Sequence, residues 1–219
     1  MRWMLAPLAA LLATAAPAAT PRETLTAVAF EAPSKPAALA GINQALAGAD
    51  AILATTPGDR EGQLARFTAI GYRAKLTHSP SDAKTAKRLI EAFVAANPRD
   101  PDGQLSLAGW HLDSVDAGFL TASVLGAKKD IGLAAADRAV AMGGDRAFFK
   151  GFVALMRVRI DPADPVARTL AEQAAAAPTP TPLDRIAKQD AAALLAPLRA
   201  HDGKAAGVLA RKLLPMGRL

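Results

Sequence analysis

Apolar residues recur along this chain at three- and four-residue intervals, in runs cut by Pro, Gly and Ser/Thr/Asp clusters, the period of helices that bury one face. Alternation of period two, the mark of half-buried strands, is essentially missing. The pattern predicts ten helices, over residues 21–32, 36–55, 59–76, 81–97, 100–115, 127–142, 146–160, 166–177, 183–200 and 204–214. Pro33-Ser34-Lys35-Pro36, Thr56-Pro57-Gly58, His78-Ser79-Pro80, Gly143-Gly144 and Pro178-Thr179-Pro180-Thr181-Pro182 separate them. Ser81 or Asp82 is expected to cap the fourth helix and Asp145 the seventh. Pro197 predicts a bend in the ninth. One stretch, 117–130 (AGFLTASVLGAKKD), breaks the rhythm. Its apolar Phe119, Leu120, Val124 and Leu125 lie between Gly118 and Gly126, and it is expected to pack beneath the helices or else to form a lid or contact patch.

The ten helices group into five pairs, and the second member of each carries one register. Ala86, Ile90, Phe93 and Pro98 set it. Ala45, Ala49, Ile52 and Pro57 match it, as do Gly132, Ala136, Ala139 and Gly144; Ala167, Ala171, Ala174 and Thr179; and Ala206, Ala210 and Leu213. A small residue at the first position lets two helix backbones approach. Apolar residues four and seven later pack on the partner helix and on the next pair, and a breaker then ends the helix. One such pair cannot bury its own apolar face, so pairs must stack.

This register resembles the tetratricopeptide repeat family over roughly residues 21–214. The apolar-Gly-aromatic turns Ile70-Gly71-Tyr72 and Ala108-Gly109-Trp110 look like its first-helix signature. The resemblance implies an all-α, right-handed α-solenoid of about five helix-turn-helix pairs. The units depart from the family's 34-residue length: their starts are spaced by 41, 46, 35 and 39 residues, chiefly through insertions at 77–81 and 117–130. In that family the first helices line a concave groove. The resemblance therefore nominates Arg66, Tyr72, Arg73, His111, Lys150 and Arg157, with Trp110 beside them, as contacts for a partner protein or peptide. Four of these are cations, which suits an acidic peptide, since arginine pairs with carboxylates in a bidentate way.

Composition adds three points. Hydrophobic residues make up 51% of the chain and aromatic ones only 5%, so the core must be built from alanine and leucine, both strong helix formers. The chain has no cysteine, which excludes disulfides and thiolate chemistry. The net charge of +6 is spread along the chain and not blocked, as expected of a solvated basic surface and not of a nucleic-acid binder. At the start, Arg2, the apolar run LAPLAALLATAA and Ala16-Pro17-Ala18 read as a cleavable export leader over residues 1–18, too short to span a bilayer. A periplasmic location without a stable membrane anchor is expected.

Candidate chemistry is sparse. His78, His111 and His201 share no metal-ligand spacing, and no phosphate-loop, dinucleotide or nucleophile-elbow motif occurs. No cofactor is expected. Three functions remain open. The first is a non-enzymatic scaffold or adaptor in a bacterial envelope. The second is a small-ligand-binding accessory protein of an envelope transporter, with 117–130 closing over a pocket at Trp110 or Phe148. The third is an enzyme with His111 as base, which requires a carboxylate within hydrogen-bond reach. Asp113, two residues on, faces away on a helix, whereas Ser114 is close enough to touch His111.

Overall fold

Local capping chemistry starts most of the helices. The computed structural model describes residues 19–219; the export leader expected over 1–18 lies outside them. The described residues form eleven α-helices and no strand: α1 (Pro21–Glu31), α2 (Lys35–Thr55), α3 (Arg60–Thr77), α4 (Pro80–Ala96), α5 (Pro101–Asp116), α6 (Phe119–Leu125), α7 (Lys129–Met142), α8 (Ala147–Ile160), α9 (Pro165–Ala176), α10 (Pro182–Arg199) and α11 (Gly203–Leu213). Thr20, Ser34, Asp59, Ser79, Asp100, Asp164, Thr181 and Asp202 each accept a first-turn backbone N–H. In most of these helices proline occupies the first or second position, where its missing N–H costs nothing. His78 and His201 turn the chain out of or beyond helices with φ of 53° and 54°.

The register read from the sequence is the packing register. Ala86, Ile90 and Phe93 are buried, as are Ala45 and Ala49, Gly132, Ala136 and Ala139, Ala167, Ala171 and Ala174, and Ala206, Ala210 and Leu213. Ile52 alone is half-buried. Each helix pair packs on the next, α2 against α3, α4 against α5, α7 against α8 and α9 against α10. A Cβ added at Gly132 of α7 would lie 2.7 Å from Leu112 Cδ2 on α5, so here a small residue does let two helices approach. The main core runs from Leu64 on α3 to Leu214. A second cluster joins Leu25, Val28, Ala38 and Ile42 to Met216. Helix α2 is long and apolar enough by length and composition to cross a membrane. Here its Ala38, Ile42, Ala45 and Ala49 stripe is buried, and the helix packs between α1 and α3.

Four expectations change. Stretch 117–130 contains the helix α6, and it does not pack beneath the array: Phe119, Leu120 and Val124 face outward. The cap of α4 is Ser79, because Pro80 already takes the first helical position. Asp145 does not cap α8; Arg146 is its N-cap residue and supplies no side-chain bond. Finally, α11 packs on α8 as well as on α10, so the fifth pair does not repeat the first four. From α11 the segment 214–219 continues to α1, where the Met216 N–H donates to the Ala29 carbonyl at 2.8 Å.

Candidate functional site

Helix α6 is held between two glycines that no other residue replaces easily. Gly118 has φ 110° and ψ 162°, and Gly126 has φ 68°; both are left-handed or near-forbidden for residues with a Cβ. At 100° per residue, Phe119, Leu120, Ser123 and Val124 share one arc, with Ala122 and Leu125 opposite. Leu125 packs on the main core. The outer arc leaves Phe119 84%, Leu120 78% and Val124 63% exposed. Ile131, in the first turn of α7, is 37% exposed. Of the four large apolar side chains of this short helix, only Leu125 packs on the protein while Phe119, Leu120 and Val124 face solvent. The other large apolar residues exposed among the described ones, Val166, Val208 and Leu219, lie far apart in sequence.

Trp110 and His111 lie on α5, the helix against which α6 packs. The Trp110 Nε1–H donates to the Ala83 carbonyl at 2.9 Å, and the Lys87 ammonium lies 5.2 Å from the centre of a Trp110 ring. His111 is buried on α5. Its Nδ1 accepts the Lys128 backbone N–H at 3.1 Å, which supplies a partner at the start of α7, where no N-cap side chain does so. Burial, and then the nearby Lys87 charge, pushes the imidazole down to about 4. It is therefore a neutral hydrogen-bond acceptor at neutral pH. Ser114 donates to the Trp110 carbonyl at 2.8 Å instead of reaching His111. The base-carboxylate contact that an enzyme at His111 requires is not among His111's hydrogen bonds.

The four cations expected to face a partner are each paired within the chain. Arg66 pairs with Asp50 of α2 at 2.9 Å, beside a shallow depression of about 330 Å³ that Phe67 and Phe93 also line. Arg73 grips Asp82 across the α3–α4 turn at 2.8 Å. Lys150 pairs with Asp145 at 3.4 Å. Arg157 is buried, joining Asp137 of α7 to Asp164, the cap of α9. The Tyr72 phenol is raised above its ordinary value by burial and then by Asp113. All four cations are thus committed to carboxylates of the chain itself. Spacing alone could not reveal this, because three of these four pairs join different helices.

A second charged cluster ties the C-terminal ends of several helices together. Asp113 of α5 receives Lys75 of α3 at 3.3 Å and Arg159 of α8 at 2.5 Å. Asp116 receives Arg211 of α11 at 3.0 Å. Lys75 also donates to the Pro215 carbonyl at 3.0 Å. Burial alone would push the Asp113 carboxyl up; Lys75 and Arg159 outweigh it and hold it below the usual carboxylate range. Nε and Nη2 of Arg159 are buried without a hydrogen-bond partner. Among the described residues no group of three or more His, Asp or Glu side chains is placed to hold a metal ion. The chain matches no family model, no curated protein and no solved structure.

Proposed function

We propose that this protein is a non-enzymatic scaffold of the cell envelope, built as a right-handed, tetratricopeptide-like stack of helix pairs, which engages its partner through the α6 projection. The observation that carries this reading is the outward Phe119, Leu120 and Val124 on α6. Contiguous exposed apolar side chains mark interaction sites on soluble proteins. The buried register of the second helices supports the stacked-pair architecture. Cleavage after Ala18 and a periplasmic location rest on the leader-like residues 1–18.

Two observations move the contact surface away from the inner groove. The cations nominated for it are paired within the chain. Helix α11 packs on α8, and the segment after it reaches α3 and α1, three of the helices that the resemblance would line along the groove. At Trp110 the indole N–H is already given to the Ala83 carbonyl, so it could hydrogen-bond a small ligand only by leaving it.

The test is a photo-crosslinking residue placed at Leu120 in cells, with the same residue at Val208, an exposed position on α11, as control. The expected result is an adduct from position 120 that is missing from 208. Equal yields at the two positions, or none at 120, would reject α6 as the docking surface.

A further inference from the structure

The exposed arc of α6 has a basic border. Lys128 and Lys129 follow it directly and are exposed. Lys87 reaches in from α4: a Cβ added at Gly126 would lie 3.6 Å from its Nζ. Lys84, one turn earlier on the same face of α4, is exposed as well. The carboxylates nearby are fewer. Asp130 lies beyond the lysine pair, Glu91 lies 3.8 Å from Lys87, and Asp116 is already held by Arg211.

We propose that α6 docks the protein reversibly on an anionic lipid bilayer, with Phe119, Leu120 and Val124 entering the headgroup boundary and Lys87, Lys128 and Lys129 meeting lipid phosphates. This rests on the reading of α6 as the contact surface and names its partner. Three features select a lipid surface over a protein. A seven-residue helix is only about 10 Å long, small beside the ~800 Å² that each partner buries in a stable protein interface. A bilayer requires no matching shape, only apolar area and opposite charge. The border is cationic, the sign that juxtamembrane segments use on anionic leaflets, and apolar side chains flanked by lysines are the composition of helices that lie in that interface. Helix α6 is already formed in the free chain, so docking does not have to fold it.

The experiment is vesicle co-sedimentation with residues 19–219, which hold both described core clusters; residues 1–18 are removed because their own apolar run would partition. Vesicles are phosphatidylcholine alone or mixed with phosphatidylglycerol. Binding to the mixed vesicles is expected to exceed binding to the neutral ones and to weaken with added salt. Phe119→Ser with Leu120→Ser should lower partitioning about tenfold or more. Lys128→Glu with Lys129→Glu should remove the preference for the anionic lipid. All four side chains are exposed, so melting curves should stay unchanged. As a second readout, Phe119→Trp should shift its emission to the blue on adding anionic vesicles, against the buried Trp110. No binding to either vesicle, or equal binding by parent and serine variant, overturns the proposal. If vesicles fail while the Leu120 crosslinker captures a protein, the lipid inference falls and the docking reading stands; failure of both experiments removes both.

Discussion

Asp184 holds two helices at once. Its carboxylate accepts the Thr181 N–H and hydroxyl of its own capping box at 3.1 and 2.7 Å. It also accepts the Phe148 N–H of α8 at 2.9 Å and pairs with Arg146 at 3.1 Å. It is completely buried. Burial would raise its pKa, but the bonds from Thr181, Arg146 and Phe148 outweigh that and hold it below the ordinary carboxylate value. Its stabilisation is therefore present above that ordinary value and is lost as pH falls through the depressed one. Asp184→Asn should cost about 3 kcal/mol at neutral pH and flatten the acid limb of stability measured by urea unfolding at a series of pH values. The first of these duties is legible in the spacing of Thr181 and Asp184. The second is not, because it depends on α10 lying against α8. Sequence therefore assigns the cap to Asp145, the nearer acid, which in the structure is an exposed partner of Lys150. His111 is the same kind of case, since nothing local shows that it will meet the start of a helix seventeen residues on.

Helices are the level at which the chain is most readable. Their bounds agree with the apolar period to within a residue or two, because proline, glycine and capping residues mark the ends and alanine fills the middles. Stretch 117–130 is the exception. Its alternatives could not be separated from sequence, because Phe119, Leu120, Val124 and Leu125 are apolar all round a short helix and give no preferred face. Between helices, the small residues set the distance. A Cβ added at Gly151 of α8 would lie 2.7 Å from the backbone carbonyl oxygen of Ala187 on α10. A backbone atom cannot rotate away, so the two helices must part. Gly151→Ala should therefore destabilise the protein by about 2 kcal/mol despite alanine's better helix propensity. A chemical-denaturation midpoint that rises instead would show that the α8–α10 contact is looser than described.

At the scale of the molecule, the first helix meets α8 and the segment that follows α11. Phe30 of α1 packs edge-on against Phe152 of α8 with ring centres 5.8 Å apart. Met216, at φ 61°, joins the cluster of Leu25, Val28 and Ile42. This closure was not readable in the sequence. The Ala206, Ala210, Leu213 register suits α11 to a second-helix position as well as to the place it takes across α8. What distinguishes the two is the path of residues 214–219, which carry no periodic signal. Met216→Ala should lower stability by about 2–3 kcal/mol and speed amide hydrogen exchange in α1 more than in α9. Uniform acceleration would mean that Met216 does not brace α1 in particular. The same contact has a consequence for the order in which the protein is made. A chain synthesised from its N-terminus can pack the Leu25 and Val28 face of α1 on α2 and α3 early, but the Met216 contact waits until almost the whole sequence has followed. The first helix therefore completes its packing only after most of the others exist.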